Sequence, residues 1–111
     1  MTIPSPLLRE ILADKYYEQC VRHKEKKCQG RVTFEHAWIY AGKQIQEKWA
    51  IIPLCAYHHG VNEFQDRGNL EKEIGQYHSI RRATGEDFAL YPRKDWYQIR
   101  DYLTEKYGKV T

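Results

Sequence analysis

Cys55, His58 and His59 fall within five positions of a 111-residue chain, directly after the apolar run "WAIIPL". Upstream lie Cys20, His23, Cys28, Glu35 and His36. Thiols, imidazoles and carboxylates at these spacings point to metal. Cys55-x-x-His58 is a pair at zinc-ligand spacing, and a structural zinc takes four ligands, usually as two pairs. The other half must come from Cys20, His23 and Cys28. The favoured set is Cys20, Cys28, Cys55 and His58, with His23 as the substitute for Cys20. "CQG", residues 28–30, has the form of a knuckle, where a glycine lets the backbone turn around the metal. A lone cysteine would be read more simply as a small buried apolar residue. Three cysteines and two histidines in this order favour zinc.

With His58 assigned to zinc, Glu35, His36 and His59 remain. Adjacent helical residues differ by about 100° in direction, so His58 and His59 are expected to face different places. His59 shares a helical face with Glu63 and roughly with Asn62. Glu35 and His36, if extended, point to opposite sides of their strand unless the backbone is distorted there. One strand end and one short helix can therefore assemble a second cluster of oxygen and imidazole ligands, suited to Mg, Mn, Ni or Zn. Either histidine alone would more simply be structural.

The elements that must position these groups are short. Ser5 is the expected N-cap and Pro6 the first residue of an opening helix, with Leu8, Ile11, Leu12 and Tyr16 on one face. Residues 31–66 read as strand, loop, strand, helix: "RVTFEH" and "WAIIPLC" are β-prone, Gly42 bends the loop, and Pro53 marks an edge or end. Asn69 caps a second amphipathic helix through Leu70, Ile74, Tyr77 and Ile80. "ATGEDFALYPR" reads as a connection. Asp95 starts a last helix carrying Trp96, Ile99 and Leu103, and Gly108 stops it. The expected fold is α+β, a single domain over 1–111: a helical segment over 5–19, a core over 20–66 and a helical extension over 69–108.

Composition bounds the rest. The chain is 41% hydrophobic and 30% charged, without repeats or low-complexity tracts, so disorder is not expected over most of its length. A net charge of +3 permits nucleic-acid binding without requiring it. Residues 22–31 hold five Lys or Arg and one Glu. They read either as a solvated loop or as a phosphate-facing patch. An odd cysteine count, no apolar leader and no membrane-length run favour a soluble cytoplasmic protein with reduced thiols.

"FEHAWIY…WAIIPLCAYHHGVNEF" resembles the HNH endonucleases, most closely small phage and prophage members with an "LCxxHH" signature. The resemblance covers residues 28–66. It implies a ββα-metal fold, a hairpin crossed by a helix that holds one divalent metal against the scissile phosphate of DNA. By the resemblance His36 is the general base, and Glu35, standing where the family has Asp, is a metal ligand. His59 is a second ligand, and Asn62 or Glu63 completes the shell. Cys55 and His58 match the family's Cys-x-x-Cys with His in the second place, and Cys28 matches the last ligand of the upstream pair. The family's middle Asn aligns with Ala50, so Gln44 or Gln46 is the candidate to tie the loop carrying His36. Lys24, Lys26, Lys27, Arg31, Arg81 and Arg82 are the candidates to hold neighbouring phosphates. No module for reading bases is apparent, so weak sequence preference is expected. A second copy of the chain and a phage protein are further candidate partners, and a phage-encoded protein would act in the host cytoplasm.

Two other readings use the same residues. A zinc-stabilised ββα unit with basic loops would bind DNA without cutting it. A zinc-stapled interaction protein would dock a partner through "YPRKDWYQIRDYLTEKY", which is rich in Tyr, Trp and Arg. Trp96 and the stripe behind it are instead expected to be core.

Overall fold

The computed structural model describes residues 3–23, 28–63 and 68–108, with the side chains of 60–63 and 68–71 outside the description. Lys24, Lys26 and Lys27 therefore lie outside the described residues, as do the side chains of Asn62, Glu63 and Leu70. The elements are α1 (Ser5–Leu12), β1 (Val32–His36), β2 (Ile39–Tyr40), β3 (Lys43–Gln44), β4 (Ile51–Cys55), α2 (Ala56–Glu63), α3 (Gly68–Ile80), α4 (Gly85–Ala89) and α5 (Trp96–Tyr107). This is an α+β fold with two small antiparallel sheets, β1 on β4 and β2 on β3. Among the described residues no helix is long and apolar enough to cross a membrane.

β1 and β4 pair with Val32 opposite Cys55, Thr33 opposite Leu54, Phe34 opposite Pro53, Glu35 opposite Ile52 and His36 opposite Ile51. The ladder continues past both ends in the same register. Ala37 N–H donates to the Ala50 carbonyl (2.9 Å) and Ala56 N–H to the Arg31 carbonyl (3.0 Å). Pro53 is tolerated inside β4 because, among the described residues, its outer edge pairs with no other strand, and proline still offers a carbonyl, which accepts from Val21 N–H (2.9 Å). The Tyr17 hydroxyl reaches the Ile51 carbonyl (2.9 Å) on that edge. α2 follows β4 without a linker and packs on both strands.

Several expectations shift by a residue or a turn. Pro4, not Ser5, caps α1, and its carbonyl accepts from Leu8 N–H (2.9 Å). Proline at that cap and at Pro6 leaves fewer N–H groups to satisfy. The buried face is Leu7 and Ile11, whereas Leu12 is 64% exposed. The helix stops there because the Asp14 side chain accepts from Tyr16 N–H (2.9 Å) and opens a 3-10 turn, Lys15–Glu18. That turn buries Tyr17 rather than Tyr16. Asn69 lies inside α3, which begins at Gly68. The expected connection after α3 contains α4, closed by a capping box between Thr84 and Asp87. Asp95 caps α5 as expected, while Gly108 ends it in ordinary right-handed geometry. The β2–β3 turn takes positive φ at Ala41 (51°) and Gly42 (79°), the pairing a tight hairpin needs.

The largest core lies beside the C-terminal helices. Trp38, Trp49, Trp96, Phe88, Tyr77, Ile80, Leu103 and Tyr107 are buried there. Trp96 meets Trp38 edge-on at 5.1 Å and stacks on Phe88 at 5.7 Å. Ser79 joins three segments: its hydroxyl accepts from Trp38 Nε1–H (3.0 Å) and donates to the Trp49 carbonyl (2.7 Å). Trp96 and its stripe are thus core, while Tyr97 and Tyr102 stay about half exposed.

Glu73 of α3 ties that helix to α5. It accepts from Tyr107 Oη (2.6 Å) and Lys106 Nζ (3.1 Å). Burial works to raise its pKa, but the bonds from Tyr107, Lys106 and Tyr102 outweigh it and hold the carboxyl below its ordinary value. A depressed carboxylate stabilises the fold above the unfolded-chain pKa, and that stability is lost as pH falls through the lower folded value. Urea unfolding from pH 7 down to pH 3 should therefore show a decline that is visibly shallower in Glu73→Gln.

Candidate metal centre

Four segments bring one ligand each to a point. Cys20 follows the 3-10 turn, Cys28 precedes β1, Cys55 ends β4, and His58 lies in the first turn of α2. Their ligand atoms all lie within 4.8 Å of one another. His58 Nδ1 sits 3.5 Å from Cys20 Sγ, 3.5 Å from Cys28 Sγ and 3.2 Å from Cys55 Sγ. A tetrahedral zinc, with bonds of about 2.3 Å to sulfur and about 2.0 Å to nitrogen, sets S and N roughly 3.5 Å apart. The site fits such an ion. Cys20, Cys55 and His58 are buried and Cys28 is exposed.

The chain builds this geometry locally. Gly30 adopts φ +81°, and a Cβ there would come within 2.8 Å of the Ala56 Cβ. The flanking backbone is bonded across to α2, with Tyr57 N–H donating to the Gln29 carbonyl (3.1 Å). Amides support the sulfurs: Arg22 N–H donates to Cys20 Sγ and His58 N–H to Cys55 Sγ, both at 3.4 Å. His23 is not in the cluster. It is exposed, and its Nδ1 contacts the Cys20 carbonyl at 3.0 Å.

Electrostatics favour a cation at the centre. Burial pushes the Cys20 thiol above its ordinary pKa. Although the residue is exposed overall, desolvation of its sulfur against the cluster, with the neighbouring sulfurs adding to it, pushes Cys28 up to about 12. Burial also acts to raise Cys55, but the amides of His58 and Gln29 and the neighbouring thiols bring it below its ordinary value. Three thiolates this close repel one another, and a divalent ion offsets that repulsion while releasing the thiol protons.

The second group of candidates is brought together in part. His59 Nε2 lies 3.9 Å from Glu35 Oε1, across the gap between α2 and β1. Its other ring nitrogen, Nδ1, lies 2.6 Å from Thr33 Oγ1. Thr33 and Glu35 share one face of β1 by strand alternation, and His36 points to the other. His36 Nε2 is 2.8 Å from Gln46 Oε1, so of the two glutamines proposed to hold it, Gln46 does so and Gln44 does not. Ala50 is fully buried and contributes its carbonyl to Ala37. Among the described residues, only the Cys20–Cys28–Cys55–His58 set gathers three or more potential ligands around one point.

Of the candidate phosphate-binding cations, Arg31 and Arg81 are exposed. Arg82 is engaged inside the molecule. Its guanidinium stacks on Tyr16 (3.7 Å), donates to Tyr17 Oη (2.8 Å) and lies 3.7 Å from Asp14. Thr33 is a contributor that spacing rules do not single out, since it is not a typical ligand. No family model, curated protein or solved structure matches the chain.

Two outcomes follow from the cluster. Elemental analysis of the purified protein should find a tightly held divalent metal that Cys55→Ser loses, with a fall in melting temperature. Gly30→Ala should cost more than Gly42→Ala in urea unfolding. Both positions carry positive φ, about 1–2 kcal/mol for a side chain, but only at Gly30 would the new Cβ meet another atom within 4 Å.

Proposed function

We propose that this protein is a metal-dependent endonuclease of the HNH type, built on a ββα-metal core, that hydrolyses phosphodiester bonds in DNA. The observation that carries the reading is the meeting of Glu35 with His59, two residues far apart in the chain, beside a Cys3His cluster on a strand–strand–helix unit. In this reading Cys20, Cys28, Cys55 and His58 hold a structural zinc that contributes folding energy. Glu35 and His59, with Asn62 or Glu63, hold a divalent ion whose Lewis acidity stabilises charge at the scissile phosphate.

His36 supplies the proton chemistry. Gln46 Oε1 can only accept, so Nε2 of His36 is the donor and Nδ1 carries the lone pair. Nδ1 is then the atom that takes a proton from the attacking water, and Gln46 fixes the ring while it does so. Gln46 thereby takes the place left by Ala50. Arg31, Arg81 and the lysines at 24, 26 and 27 hold flanking phosphates without reading sequence. Arg82 is spent on Tyr16 and Tyr17.

The opposite facing of Glu35 and His36 on β1 favours one alternative, a zinc-stapled DNA-binding module that does not cut. Supercoiled plasmid incubated with the protein and Mg, Mn or Ni separates the two. The nuclease reading expects chelator-sensitive nicking that falls about 10²–10⁴-fold in His36→Ala, with fold and zinc content kept. Equal nicking by the mutant, or none with any metal, favours the binding module.

A further inference from the structure

Thr33 has one hydroxyl proton and two close neighbours. Its Oγ1 lies 2.8 Å from the Leu54 carbonyl and 2.6 Å from His59 Nδ1. A carbonyl oxygen can only accept, so the proton goes to Leu54. The hydroxyl then accepts from His59, and Nδ1 must carry hydrogen. Neutral imidazole has a single N–H, so the lone pair is on Nε2, the nitrogen 3.9 Å from Glu35 Oε1. The register is what makes this possible, because Thr33 faces Leu54 in the ladder and sits two residues from Glu35 on the same face.

We propose that Thr33 is a positioning residue that holds His59 as the Nδ1–H tautomer, turning Nε2 toward a divalent cation shared with Glu35. The proposal rests on the reading of Glu35 and His59 as a metal pair. The hydroxyl acts through the ring and touches neither cation nor substrate. Anchoring the far nitrogen of a ligating histidine in this way fixes both its tautomer and its orientation, and losing such an anchor commonly lowers metal affinity about 10–100-fold.

The test compares zinc-loaded wild type, Thr33→Val and Thr33→Ser. Valine keeps the shape and removes the hydroxyl, and serine restores the hydroxyl. Nitrogen-15 spectra of the imidazoles, taken alkaline enough for neutral rings, should find His59 protonated on Nδ1 in wild type and Thr33→Ser. In Thr33→Val it should move toward Nε2–H. Titration with Mn²⁺ should give a dissociation constant about 10–100-fold weaker for Thr33→Val and near wild type for Thr33→Ser. Wild-type His59 protonated on Nε2, a tautomer unmoved by Thr33→Val, no Mn²⁺ binding by wild type, or equal Mn²⁺ affinity in wild type and Thr33→Val would each overturn the proposal. Neither readout is cleavage. A protein that binds Mn²⁺ as expected yet nicks no plasmid refutes the nuclease reading and leaves the role of Thr33 standing.

Discussion

The register of β1 against β4 is the constraint on which the site depends. Side chains alternate faces along a strand, so a slip of one residue would replace Thr33 and Glu35 on the α2 side with Val32, Phe34 and His36. β4 cannot choose the register alone, because every one of its residues is buried and its apolar character does not alternate. The choice falls to β1 and its flanks. Phe34 packs toward Tyr17 (6.0 Å between rings), which turns Thr33 and Glu35 the other way. The bonds from Ala37 to Ala50 and from Ala56 to Arg31 hold the same alignment outside the strands. The same ladder brings Cys55 opposite Val32, near the knuckle that carries Cys28.

The two ends of the molecule are held by different physics. Around α3 and α5, three tryptophans and several tyrosines bury enough surface to form an ordinary core. Around the knuckle the apolar set is small: Ile52 and Leu54 with two of the cysteines. Loops there have little to pack against, and a shared metal can replace the missing contacts. Arg82 does comparable work between the N-terminal turn and the end of α3, where a cation over Tyr16 and bonded to Tyr17 joins segments far apart in sequence.

Much of this was legible in the residues. Ligand spacing and a glycine knuckle favour the Cys3His set, with His23 as the substitute for Cys20, and the strand–loop–strand–helix order follows from β-prone runs bounded by turn residues. His23 had a spacing as good as Cys20, and only the backbone turn that sends its ring outward separates them. α1 buries Leu7 and Ile11 rather than Leu8 and Leu12, and Asp14 ends the helix before Tyr16 can extend a stripe. α4 carried its own signal in Thr84 and Asp87, a capping box that opens a helix of only five residues. The bonds of Thr33 and Glu73 could not be read from spacing, because each joins groups from separate elements. The adjacency of His58 and His59 was legible, and their different partners follow from helical rotation alone.

The bonds of Tyr17 also bear on how the chain matures during synthesis, when residues emerge in order. Its hydroxyl meets the carbonyls of Lys48 and Ile51 and the guanidinium of Arg82. These contacts of Tyr17 therefore form only after residues 48, 51 and 82 have emerged. α1 and the turn behind it must wait for β4, and Tyr17 waits longer, for the end of α3. Cys20 and Cys28 likewise emerge before Cys55 and His58, which complete their cluster. α1 and the turn behind it are thus made before the residues that secure them.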